Sequence, residues 1–131
     1  MRQPLVPRIV LALATLGFAG FGMAFAVLPH RLAAIVDIQL PTDTATTDFI
    51  ATYGGFEIGF AVFLAACLLR ADRLRIGLLA SGWAVAGFAI ARGLSILALG
   101  GVKPVMYRAL VFEMVCATAA FWAASGVQAD T

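Results

Sequence analysis

The chain has 131 residues, of which 63% are hydrophobic and only 12% charged, with a formal net charge of +2 and a mean hydropathy of +1.00. Soluble domains carry about twice that share of charge, roughly 25%. A chain this short could not hide so much apolar surface from water, because small domains leave much of their surface exposed. The composition therefore excludes a soluble globular domain, a disordered chain and a nucleic-acid binder, and leaves an integral membrane protein. Two cysteines and one histidine give neither a disulfide framework nor a metal-ligand cluster, so no metal site and no cofactor are expected.

A membrane-crossing helix needs about 20 mostly apolar residues. Residues 9–28 supply the first span, with no charge. A long loop, 29–48, expected on the outer side, follows; it contains Pro29, Pro41, Asp37, Asp43 and Asp48, and Ile35-Val36-Asp37-Ile38 reads as a short amphipathic turn. Asp48 is expected to cap the second span, 49–69, by accepting free backbone N–H groups. That span holds one charge, Glu57. A tight basic turn, Arg70-Ala71-Asp72-Arg73-Leu74-Arg75, leads to the third span, 76–97, whose one charge is Arg92. Gly100-Gly101-Val102-Lys103-Pro104 makes the last turn, and the fourth span, 105–126, carries Arg108 near its start and Glu113 inside. None of the runs alternates as a β-barrel strand would. The expectation is an all-α, four-transmembrane-helix antiparallel bundle forming one membrane domain over residues 1–131.

Basic residues set the orientation. Arg2, Arg8, Arg70, Arg73 and Arg75 lie on one side, against Arg31, Lys103 and Arg108 on the other. This places both termini in the cytoplasm and the protein in the inner membrane, as a multi-pass chain. Ala24-Phe25-Ala26 has the look of a signal-peptidase site, but the preceding apolar run is longer than a signal core, so the first span is read as retained. Tyr107 and Trp122 fit the outer and inner aromatic belts.

Glycines recur at packing distance. Gly55 and Gly59 are four residues apart, and Gly17 with Phe21, Gly22 with Ala26, Gly82 with Ala86 and Gly87 with Ala91 offer similar shallow faces. Such faces let helix backbones approach closely in lipid. Packing within the bundle is the favoured reading, and a homodimer face the alternative.

Three ionisable residues remain deep in the spans: Glu57, Arg92 and Glu113. At 1.5 Å per residue, Glu57 and Glu113 each lie about 12 Å from the outer end, and Arg92 about 6 Å below it. Each charge costs about 2.5–3.5 kcal/mol at a helix centre. Equal depth on three helices lets them meet. Tyr53 sits one turn above Glu57, and Ser95 one turn above Arg92, so both are expected at the edge of the cluster. The cluster either locks the second, third and fourth spans together or binds a lipid headgroup, a quinone or another small amphiphile. Cys67 and Cys116 lie at different depths and read as packing residues.

Tyr53-Gly54-Gly55-Phe56-Glu57-Ile58-Gly59, Ala91-Arg92-Gly93-Leu94-Ser95 and Glu113 together resemble a bacterial family of small four-helix membrane proteins, domain of unknown function 4345, loosely similar to the DoxX-like membrane proteins. The resemblance runs from about Leu28 to Ala124. Ala91 stands where Gly often precedes the Arg. Gly100 stands where an acidic residue is common, so a carboxylate partner for Arg92 or Lys103 is missing from that turn. The resemblance implies the fold and the importance of Glu57, Arg92 and Glu113, and no activity. A non-enzymatic binding or accessory protein is the first functional expectation. A small proton-coupled transporter acting as a dimer and a quinone-linked redox subunit are the alternatives.

Overall fold

The computed structural model describes residues 5–127, and all of its regular elements are helical. Arg2, one of the charges used for orientation, lies outside the described residues. Helix α1 spans Leu5–Val27 and the short α2 spans Pro29–Ile35. Helix α3 spans Asp43–Leu68 and contains a π-helical stretch, Ile50–Gly55. One 3-10 turn, Ala71–Arg73, precedes α4, Leu74–Leu99, and α5 is Pro104–Ser125. The four long helices α1, α3, α4 and α5 are each long and apolar enough to cross a membrane.

The segment between the first two spans, expected as a long loop, is mostly helical. Only residues 36–42 are irregular. Helix α2 ends in a two-bond cap: Asp37 N–H donates to the Ala34 carbonyl and Ile38 N–H to that of Ala33. Asp37 takes the left-handed conformation this closure needs, φ +60°. The cap of α3 is Thr42, not Asp48. Thr42 is extended, and its hydroxyl accepts from the Ala45 N–H at 3.1 Å. The helix thus begins well before the apolar run does, because two polar turns can wind outside the hydrocarbon as readily as inside it. Asp48 lies within the helix.

In lipid no water satisfies a free polar group, so hydroxyls turn back onto their own helix. Thr15 donates to the Leu11 carbonyl, Ser81 to Leu78 and Thr118 to Met114. Arg8 reaches across from α1 to the Leu68 carbonyl at the C-terminal end of α3, 3.4 Å away, where helix carbonyls lack intrahelical donors.

The long helices associate as two hairpins, α1 with α3 and α4 with α5. Glycine sets the distance in each. A Cβ placed on Gly22 of α1 would stand 2.9 Å from the Ile58 backbone nitrogen and 3.0 Å from Glu57 Cβ. One placed on Gly54 would stand 3.1 Å from the Ala26 nitrogen. In the second hairpin a Cβ placed on Gly82 would stand 2.9 Å from the Phe121 ring. The hairpins join at the end that carries the termini, where Leu11, Leu64, Leu74, Leu78 and Ala123 form a fully or nearly fully buried core around Gly77 and Cys67. The expected small-residue faces therefore separate into two groups. Gly22 and Gly82 are packed inside the molecule, whereas Gly17, Gly59 and Gly87 face open space and Gly55 nearly so.

Gly22→Ala is expected to destabilise the protein by about 1–3 kcal/mol through overpacking against Ile58. Gly17→Ala is expected to be neutral within about 0.5 kcal/mol. Thermal unfolding in detergent, followed by helical circular dichroism, measures both.

Candidate functional site: an intramembrane ion pair and a separate carboxyl

Helices α4 and α5 are antiparallel neighbours. Arg92 lies seven residues from the end of α4, about 10 Å, and Glu113 nine residues from the start of α5, about 14 Å. The two side chains meet at that level. Arg92 Nε donates to both Glu113 oxygens, at 3.1 and 3.0 Å, and Nη2 donates to Oε1 at 2.7 Å. The third guanidinium nitrogen, Nη1, faces the Met106 thioether at 3.2 Å. Every nitrogen of the guanidinium is thus engaged. The pair is largely shielded, with side-chain exposures of 27% for Arg92 and 12% for Glu113. The planar fork of arginine matches a carboxylate in this way and lysine would not.

Glu57 is separate. Its Cβ packs against Gly22 at the α1–α3 seam, and its Oε2 is buried with no hydrogen-bond partner. No cation among the described residues lies within ion-pair distance of it. The reason is the pairing of the helices. Arg92 and Glu113 belong to one hairpin and Glu57 to the other, so equal depth does not bring the three together.

The two edge residues also stand apart from the pair. Tyr53 lays its ring against Phe49 and Phe25, with centroids 4.6 and 5.6 Å away. Ser95 is exposed on α4. Neither hydroxyl bonds to Arg92, Glu113 or Glu57. Cys67 and Cys116 are both free thiols, the first buried and the second half-buried. Arg108 is exposed and edges an open groove on α5 with Tyr107, Val111, Phe112 and Val115.

A second ion pair escapes the expectation drawn from the last turn. Lys103 Nζ reaches Asp37 Oδ1, joining the α4–α5 turn to the end of α2 across 66 residues. The carboxylate missing at Gly100 is supplied by the first loop instead. Gly100 and Gly101 both have φ +59°, a conformation that favours glycine and lets the turn reverse beside Lys103.

The family model for a domain of unknown function, DUF4345, matches residues 6–124. The chain belongs to that family. No curated protein and no solved structure matches the chain. The DUF4345 match covers nearly all of the four long helices, and Glu57, Arg92, Glu113, Met106 and Asp37 with Lys103 all fall inside it. Met106 is the member of this site that charge-based reading misses. Its signal is positional: it precedes Glu113 by seven residues, two helical turns, and so shares its face.

Arg92→Met or Glu113→Leu alone is expected to cost about 3–5 kcal/mol, because each leaves one charge buried without its partner. The double variant is expected to recover most of that loss. A double-mutant cycle on unfolding in detergent gives the coupling, and additive single effects would show that the pair does not hold the hairpin.

Proposed function

We propose that this DUF4345 chain is a non-enzymatic binding or accessory protein of the inner membrane, with both termini cytoplasmic and a small amphiphile or lipid as its partner. One observation carries the reading: Glu57 keeps a buried carboxyl oxygen without a partner, while the other two intramembrane charges neutralise each other. An unpaired polar atom in an apolar setting costs about 1–3 kcal/mol. Intramembrane ionisable groups of this kind mark ligand or ion sites by default. The Arg92–Glu113 hairpin then serves as the fixed half of the molecule, and the α1–α3 hairpin presents the binding half. The orientation rests on Arg8, Arg70, Arg73 and Arg75, which gather at the end of the molecule that carries the termini.

A second reading, a proton-coupled transporter working as a dimer, is favoured by one feature. Gly55 and Gly59, about one turn apart, leave an open, shallow face on the side of α3 away from Glu57, where a second copy could approach closely.

Native mass spectrometry of the protein released from membranes separates the readings. An amphiphile bound to the wild type and lost in Glu57→Gln is the expected result. Wild type that carries no ligand, or the same ligand as Glu57→Gln, overturns the binding reading. A two-copy species that is abolished by Gly59→Leu supports the dimeric transporter.

A further inference from the structure

Glu57 is set among aromatic rings. Eight of them connect in two groups along the α1–α3 seam. Phe21, Phe25, Phe49 and Tyr53 lie on the side of Glu57 towards the α2–α3 loop. Phe18, Phe56, Phe60 and Phe63 form the second group, in which Phe56 and Phe60 bracket Glu57 along α3. Tyr53 is about one helical turn before Glu57 and Phe60 about one turn after it, so Glu57 stands between residues of the two groups along α3. Ring centroids within the groups lie 4.6–6.5 Å apart.

The backbone is irregular at the same place. Residues Ile50–Gly55 form the π-helical stretch, closed by Phe56 N–H donating to the Ala51 carbonyl five residues back. Stretches of this kind turn the following residues relative to a regular helix, and they are frequent at functional sites. Here the stretch ends at Gly54-Gly55, two residues before Glu57. Phe21, Tyr53 and Phe56 are exposed at the surface that faces lipid, with 54%, 40% and 60% of their area accessible, so the rings can be reached laterally.

We infer that Glu57 and the rings of Phe25, Tyr53 and Phe60 form a binding site for a lipophilic cation, an amphiphile bearing a quaternary or protonated nitrogen or its phosphonium equivalent. The inference rests on the binding role proposed for Glu57 and names the ligand's charge. The chemistry follows from the neighbours. Aromatic faces carry negative potential and attract cations. The carboxyl has a free acceptor oxygen and no cation within ion-pair distance among the described residues. Arg92, deep in α4, is already held by Glu113. An anion would be repelled by both the carboxylate and the ring faces.

Tetraphenylphosphonium and tetraphenylborate have the same shape and opposite charge, and they test the inference by equilibrium dialysis against the full chain in nanodiscs, with empty nanodiscs as the blank. Saturable binding of tetraphenylphosphonium, at one per chain, is expected, with none of tetraphenylborate. Glu57→Gln is expected to weaken it by at least about tenfold, as loss of a charged partner does. Phe25→Leu and Tyr53→Leu are each expected to weaken it by about threefold, the size of a cation–π contact. Arg108→Gln, on the far helix, is expected to leave it unchanged. Helical content and melting temperature of each variant establish folding, and Phe25→Leu with Tyr53→Leu decide the matter if Glu57→Gln does not fold. Equal binding of the two probes, or undiminished binding in the folded variants, overturns the cation site. Should tetraphenylphosphonium fail while native mass spectrometry still finds a neutral or anionic amphiphile lost in Glu57→Gln, the cation inference falls and the binding role stands. Should neither bind, both fall.

Discussion

Hydrocarbon gives one apolar helix nothing for leaving lipid to touch another, so helices in a membrane need close van der Waals contact or polar bonds to stay together. This chain uses each device in a different place. In the α1–α3 hairpin the contact is backbone on backbone, at Gly22 and Gly54, where even a methyl group would collide. In the α4–α5 hairpin Gly82 accepts the Phe121 ring, and Arg92 and Glu113 add the polar bond. The apolar core at the end carrying the termini then joins the two halves.

The two ion pairs that join separate helices or loops differ in weight because they differ in surroundings. Lys103 and Asp37 are both more than half exposed, and a pair in that setting contributes roughly 0–1 kcal/mol. Arg92 and Glu113 are shielded, and their value is conditional. Together they are satisfied, with three charge-assisted hydrogen bonds and a thioether on the remaining nitrogen. Apart, each would be a bare charge in a medium that cannot hydrate it. Such a pair fixes which face of α4 meets which face of α5 more firmly than it raises stability, since a sliding or rotated hairpin would separate the charges.

The spans were legible because a membrane imposes a length and a composition, and the runs at 9–28, 49–69, 76–97 and 105–126 satisfy both within a few residues of the helices observed. What lies outside the hydrocarbon was not. Thr42 and the two polar turns after it form helix without any apolar signal to mark them. The meeting of Arg92 with Glu113 followed from depth, which the residue count supplies. Depth does not supply the neighbour, however. Which helix stands beside which is decided by the glycine contacts at Gly22 and Gly54, and these place α3 against α1, so Glu57 stands apart from Arg92 despite its similar depth. The π-helical stretch has no clearer mark in the sequence than the pair Gly54-Gly55.

The close partners are also neighbours in the chain. Arg92 and Glu113 are 21 residues apart, on consecutive helices joined by a four-residue turn. A nascent chain entering the bilayer can therefore form the second hairpin as one unit, with its positive and negative charges already bonded to each other as they leave water. Neither has to wait for a distant segment to be made. Among the described residues Glu57 has no such companion in its own hairpin, so its carboxyl enters the bilayer without a partner made beside it.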